Sequence, residues 1–192
     1  ASVWVLCLLA CAALSCGQPT NGPASRKVAS LSPAATDLLI GMGLADRLAA
    51  VSTFDFARPE IGNLPRVGDY ETTDWEKLSE IRPGFMIIQR SRVEPGFENR
   101  VERRGMRLVN IRIDRLDDTF KAIAALGQAL DEPDKADALA QTLKTRFDAI
   151  RQAVAGRPRP RVLIVLGEDA TGVAGPDTFL DDLLTIAGGT NA

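Results

Sequence analysis

The side chains that most often carry catalysis or hold a metal are missing from nearly all of this 192-residue chain. It has no histidine, and its three cysteines, Cys7, Cys11 and Cys16, lie within the first sixteen residues. Without imidazole there is no ordinary general base near neutral pH and no common nitrogen ligand for zinc. Without a later thiol the body has no disulfide, thiolate site or cysteine nucleophile. The sequence also lacks a Gly-x-Ser-x-Gly elbow and a Gly-x-x-x-x-Gly-Lys phosphate cradle. Asp37 and Asp69 could act as acids, but Asp37 reads as a first-turn helix residue whose charge suits the dipole. We therefore expect no cofactor, no metal and no enzymatic activity, the enzymatic alternative being a carboxylate-only mechanism. Nucleic acid is not an expected partner either, because a net charge of -2 with mixed signs offers no basic stripe for a phosphate backbone.

What remains is recognition chemistry, and the elements that would position it can be read in order. Lys27 to Leu31 is a first strand, and Ser32-Pro33 opens a helix with Ser as N-cap and Pro at the first helical position. Further strands are expected at Leu48 to Ser52, Phe85 to Ile88 and Leu108 to Ile111, with helices at Thr73 to Ile81 and about Phe97 to Arg104 between them. That rhythm implies a mainly parallel α/β sheet covered on both faces. Helices over Asp117 to Leu130 and Asp134 to Val154 follow. In the second, Ala136, Leu139, Leu143, Phe147, Ile150 and Val154 form one apolar stripe. Its 21 positions reach about 30 Å, enough to pass from one lobe to another. After Gly156-Arg-Pro-Arg-Pro160, the run Arg161-Val-Leu-Ile-Val-Leu166 predicts a buried strand opening a second sheet, and Thr178 to Ala187 a helix. One strand and one helix cannot bury their own apolar faces, so this second lobe is expected to be incomplete in the chain.

The N-terminus points to export. Val3 to Leu14 is an apolar run too short to span a bilayer and of the right length for a signal peptide. It ends in Ala13-Leu14-Ser15-Cys16-Gly17, which resembles the lipobox of bacterial lipoproteins with Cys16 as the lipidated residue. An ordinary secretory signal is the alternative. Residues 1–16 are thus expected to be a lipoprotein signal and 17–26 a flexible tether. The body then divides into an N-terminal α/β lobe (27–133), a joining helix (134–156) and the start of a C-terminal α/β lobe (157–192).

Several local motifs, in order, carry a family likeness: Ser30-Leu-Ser-Pro-Ala-Ala-Thr-Asp37, Gly43-Leu-Ala-Asp-Arg-Leu48, Leu64-Pro-Arg-Val-Gly68 leading to Asp74-Trp-Glu-Lys-Leu78, Ile81-Arg-Pro83, and Leu183 to Asn191. The chain resembles the helical-backbone (class III) solute-binding proteins of ABC importers, in particular the cobalamin-binding proteins and their ferric siderophore- and haem-binding relatives. The resemblance implies two Rossmann-like lobes joined by one rigid helix, with cobalamin or an iron chelate held between them and delivered to a membrane permease. A tethered sensor with the same fold is the alternative. A zinc or manganese receptor of this architecture is disfavoured because the chain has no histidine ligands.

Physical reasoning places a ligand in the same region, since open α/β sheets gather ligands at the C-terminal ends of their strands. Phe54 and Tyr70 match positions where cobalamin binders present aromatics, Gln89, Arg90 and Arg92 match a cleft edge that varies with ligand, and Glu168 and Gly175 lie in the loop after the first strand of the second lobe. Trp75 reads as a core residue. The resemblance makes Glu76 the residue that docks on the permease, while Thr73-x-x-Glu76 equally reads as a capping box.

Overall fold

The structure is a computed structural model and describes residues 25–167 and 172–192. The expected signal with Cys16, the expected tether as far as residue 24, and Glu168 lie outside the described residues.

Four parallel strands form the main sheet: β1 (Val28–Ser30), β2 (Leu48–Ala50), β3 (Phe85–Gln89) and β4 (Arg107–Ile111), in the order β2-β1-β3-β4. The helices between them are α1 (Pro33–Gly41), α2 (Trp75–Ile81) and α3 (Phe97–Glu102). Alternation along the strands splits the core into two layers. Val28, Phe85, Ile87 and Ile111 face one side with Ala35 and Leu39 of α1, whereas Ala29, Met86 and Ile88 face the other with Leu78 of α2 and Val101 of α3. Both faces are covered, as parallel strands require.

The first layer is completed by α4 (Leu116–Leu130) and α5 (Pro133–Val154), whose Ile123, Leu126, Leu130 and Ala136 are buried in it. The two helices approach closely at Gly127, where a Cβ would stand 2.5 Å from that of Ala136. The buried Arg47 ties their junction to the sheet: its Nη1 donates to the Leu130 carbonyl (3.0 Å) and its Nε to the Arg26 carbonyl (2.8 Å). Along α5 the apolar stripe is only partly used. Ala136 is buried, Leu139 and Leu143 are half-buried against the core, and Ile150 is exposed.

After α5 the expectation of one buried strand over 161–166 fails. The run breaks into β5 (Arg161–Val162) and β6 (Val165–Leu166), each two residues long. β5 pairs in parallel with β8 (Thr190–Asn191), and β6 pairs antiparallel with β7 (Gly172–Val173). Leu163, Val165 and Leu166 are 57%, 47% and 44% exposed, because a two-stranded ribbon offers no second layer among the described residues to cover them. The helix expected at 178–187 is α6 (Phe179–Ile186), capped by the Thr178 hydroxyl, which accepts from Asp181 N.

Two smaller expectations are also corrected. Asp37 lies beyond the first turn of α1 and makes an ion pair with Arg58 (2.5 Å), so an arginine rather than the helix dipole is its partner. The N-cap of α2 is Asp74, whose Oδ1 accepts from Lys77 N (3.1 Å); Thr73 is not the cap, and its buried hydroxyl has no hydrogen-bond partner. The Thr73-Glu76 capping box does not form.

Candidate functional site

In this strand order the chain leaves β1 toward β2 on one side and returns to β3 on the other, so the C-terminal ends of β1 and β3 flank a switch point where a crevice opens. A cleft of about 570 Å3 lies there. Phe54, Tyr70, Gln89, Arg90 and Arg92 all line it, and so do Ser32, Ser52, Glu71, Ser91 and Glu94.

The floor is a buried polar web. Ser32 follows β1 by two residues and caps α1: its hydroxyl accepts from Ala35 N (3.3 Å) and donates to Gln89 Oε1 (2.8 Å), bridging the β1–α1 junction to the end of β3. With Oε1 accepting from Ser32, the donor that Gln89 can still offer in the cleft is its amide nitrogen. Thr36 Oγ1 donates to Asp55 Oδ2 (3.0 Å) and lies 2.9 Å from the hydroxyl of Ser30.

Two turns carry the aromatic residues. The chain from Val51 to Thr53 pairs with Pro65 to Gly68 through bonds from Val51 N to Pro65 O (3.0 Å), Val67 N to Val51 O (3.1 Å) and Thr53 N to Gly68 O (2.8 Å). Gly68 then turns the chain back at φ +128°, where a Cβ would meet the Thr72 carbonyl at 2.3 Å, so only glycine fits. Asp69 closes this turn by accepting from Glu71 N and Thr72 N, both at 2.8 Å. The Thr72 amide above all, with the Glu71 amide and the Thr53 hydroxyl, holds the Asp69 carboxyl below its ordinary value. Asp69 is thereby a turn residue.

The outcome is an aromatic platform. The rings of Phe54 and Tyr70 stack with centroids 5.8 Å apart and planes 19° from parallel. They are 55% and 57% exposed, an unusual state for two large rings in contact. Across the cleft the Arg90 guanidinium lies over the Phe97 ring, 4.6 Å from its centroid. Its backbone is pinned by Asn110, whose side chain accepts from Arg90 N and donates to Arg90 O, each at 3.0 Å. The Arg90 Nε and Nη2 are buried without hydrogen-bond partners. Arg92 is exposed on the rim, near the acidic Glu71 and Glu94.

The chemistry of this arrangement is recognition. A flat apolar surface shares the cleft with the side chains of Gln89, Arg90 and Arg92, which suits a planar ligand carrying hydrogen-bond acceptors. Among the described residues no group of three His, Cys, Asp or Glu side chains could hold a metal ion, and no helix is long and apolar enough to cross a membrane.

Other predicted residues fall elsewhere. Gly175 does not line this cleft; it precedes α6, where its carbonyl accepts from the Thr178 hydroxyl (2.9 Å). That end of α6 is fastened to the β4-α4 loop by Arg115, whose Nε and Nη2 donate to Asp182 (2.9 and 2.6 Å) and whose Nη1 donates to Asp177 (2.9 Å). Trp75 is half-buried beneath α3, tilted against Phe97 at 5.4 Å, with Arg100 and Arg104 over its ring. Glu76 is exposed on the first turn of α2. Sequence reasoning missed Ser52, Glu71 and Glu94 as lining residues. Their only signal is that they lie within two residues of Phe54, Tyr70 and Arg92 in the same strand-end loops.

Comparison with known proteins agrees with the fold. The chain is 25% identical over 171 residues to the vitamin B12-binding protein of Salmonella typhimurium, covering 88% of this chain and 62% of that protein. It is 23% identical over 174 residues to the uncharacterized ABC transporter substrate-binding lipoprotein YvrC of Bacillus subtilis, covering 87% and 55%. Among solved structures, the periplasmic haem-binding protein HutB of Vibrio cholerae superposes with a TM-score of 0.75 at 23% identity, over 87% of this chain and 66% of that one. The chain therefore spans 62% or less of the length of these two curated relatives. The family model described as periplasmic binding protein matches residues 28–192, and the chain belongs to that family of binding proteins.

Proposed function

We propose that the chain is the ligand-capturing part of an ABC importer receptor for cobalamin, haem or a ferric chelate. The observation that carries this reading is the exposed Phe54–Tyr70 stack at the switch-point cleft, which Gln89, Arg90 and Arg92 also line. A macrocycle would lie on the rings while Arg90, Gln89 and the rim Arg92 meet its polar edge. In this reading residues 27–133 form the first lobe, 134–156 the joining helix and 157–192 the start of a second lobe, whose Glu168 and Gly175 approach the ligand from the other side. Export is supported by the periplasmic family and by the relative whose name calls it a lipoprotein. The finer proposals are an anchor at Cys16 and a permease met through Glu76.

The test is to titrate the protein at its full natural length with cyanocobalamin, haemin and several ferric siderophores. A ligand at 100 times its Kd should add about 2.7 kcal/mol of stability, read as a thermal shift. Phe54→Ala and Tyr70→Ala should weaken binding with little effect on the unliganded melting temperature, because both rings are already exposed. No response to any of the three classes, or unaltered affinity in both variants, would overturn the proposal.

A further inference from the structure

We infer that Asp55 is a positioning residue: its buried carboxylate sets the direction of Phe54 and so assembles the aromatic platform. The inference rests on the reading of that platform as the ligand surface. Phe54 is exposed and its one aromatic neighbour among the described residues is Tyr70, so surrounding packing does little to aim it. The backbone of its turn must do so. That turn is closed from both ends: Ser52 N donates to Asp55 Oδ2 (2.9 Å), Asp55 N donates to Ser52 O (3.2 Å), and Phe54 N donates to the Ser52 hydroxyl (3.2 Å).

The same carboxylate oxygen accepts from Thr36 on α1, which fastens the turn to the helix that Ser32 caps. The Asp55 side chain is 1% exposed, although it sits one residue from an exposed ring. Burying a carboxylate is costly unless several donors meet it, and a surface turn has no need of one. Arg58, 3.7 Å from Oδ1, supplies the countercharge, yet Oδ1 has no hydrogen bond. An exposed Asx turn would close the loop without that cost, as Asp69 does for Tyr70. What burial adds at Asp55 is registration to α1. Thr53 joins the two turns, its hydroxyl donating to Asp69 Oδ2 (3.1 Å), so the two aspartates hold the two rings through one continuous set of bonds.

The chain has a single tyrosine, Tyr70, which makes the platform observable without any ligand. With 3-fluorotyrosine incorporated in the full-length protein, the fluorine resonance that Tyr70→Phe removes is that of Tyr70, and it reports the ring stacked on Phe54. Phe54→Ala defines the position of an unstacked Tyr70. Asp55→Ala should move the resonance to that position, and Asp55→Asn, which keeps one oxygen for Ser52 and Thr36, should hold it near wild type. If Asp55→Ala does not fold, Thr36→Val answers the same question, since it removes the tie from Asp55 to α1, along with the Thr36 bonds to the Ser30 hydroxyl and the Ser32 carbonyl, but leaves the Ser52–Asp55 bond in place, and it should shift the resonance partway with the fold retained.

For whichever ligand the wild type binds, Asp55→Ala should weaken affinity roughly tenfold and Asp55→Asn much less. A wild-type resonance in folded Asp55→Ala, or in folded Thr36→Val where that is the variant available, overturns the positioning role. A shifted resonance in a protein that binds none of the three ligand classes leaves the positioning role standing and overturns the ligand reading instead.

Discussion

Strand β3 and the run at 161–166 are comparably apolar as sequences and end in opposite states. Phe85-Met-Ile-Ile-Gln89 is hydrogen-bonded by β1 and β4, and its Met86, Ile87 and Ile88 are at most 1% exposed. Arg161-Val-Leu-Ile-Val-Leu166 makes two short pairings and leaves most of its apolar side chains in solvent. Intrinsic preference for the extended state does not separate them. The layers do: α1 with α4 and α5 on one face of β3, and α2 with α3 on the other. Burial belongs to the assembly of layers, and a strand acquires it only where neighbours exist on both faces.

The largest expected effect breaks or sharpens this contrast directly. Ile87→Ala removes a side chain with no room to collapse and should cost about 2–5 kcal/mol. Leu163→Ala removes one that is already mostly wet and should change stability by about 0.5 kcal/mol or less. Urea denaturation of both variants measures the pair. Similar losses would mean that the later segment is covered in solution as fully as β3.

A second, smaller effect concerns how the later segment is fastened. Ile186 is buried there, but the directed contacts are ionic: Arg115 bonds Asp182 through two nitrogens, and Leu116 N also donates to Asp182 Oδ2 (2.9 Å). Arg115 first, then the Leu116 amide, holds the Asp182 carboxyl down to about 2, from an ordinary 3.8. Because the folded value lies below the unfolded one, the stabilisation is complete above 3.8 and is lost as pH falls through about 2. Hydrogen exchange at α6, corrected for intrinsic rates, should therefore quicken across that window while β3 stays protected. Asp182→Asn should show the quicker exchange already at neutral pH. Equal acid sensitivity of α6 and β3 would mean that the two regions open as one unit and that the clasp adds nothing local.

The same contrast explains what could be read from the residues. Ser32-Pro33 announced the start of α1, the strand-helix rhythm announced the parallel sheet, and Ala136 to Val154 announced α5, because each signal is local and periodic. Phe54, Tyr70, Gln89, Arg90 and Arg92 were placed together by the strand-end rule and by family likeness, and the cleft does unite them. What stayed hidden depends on distant partners. The web from Thr36 to Asp55 spans nineteen residues, and Asp37 takes its partner from Arg58, well along the chain. The choice between Thr73 and Asp74 as N-cap lies between two adjacent residues of suitable type, which the backbone decides and the sequence does not.

The smallest expected effect on stability follows from that cap, and it isolates Glu76. Asp74 accepts from Lys77 N and is paired with Lys77 Nζ at 3.0 Å, whereas no side-chain bond of Glu76 occurs among the described residues. Asp74→Ala should lower the urea midpoint and Glu76→Gln should leave it in place; a loss from Glu76→Gln equal to that from Asp74→Ala would restore Glu76 as part of the cap. With stability unaffected, an exposed carboxylate on the first turn of α2 is available to a partner. In the importer reading that partner is a basic site on the permease. Reversing a rim charge chiefly slows encounter and leaves a separate ligand site alone. In the full-length protein Glu76→Lys should then keep wild-type ligand affinity, associate more slowly with permease-containing membranes and lose that difference at high salt, as screened attraction does. Wild-type association at low salt would remove Glu76 from the docking surface and leave the importer and sensor readings to be separated by uptake itself.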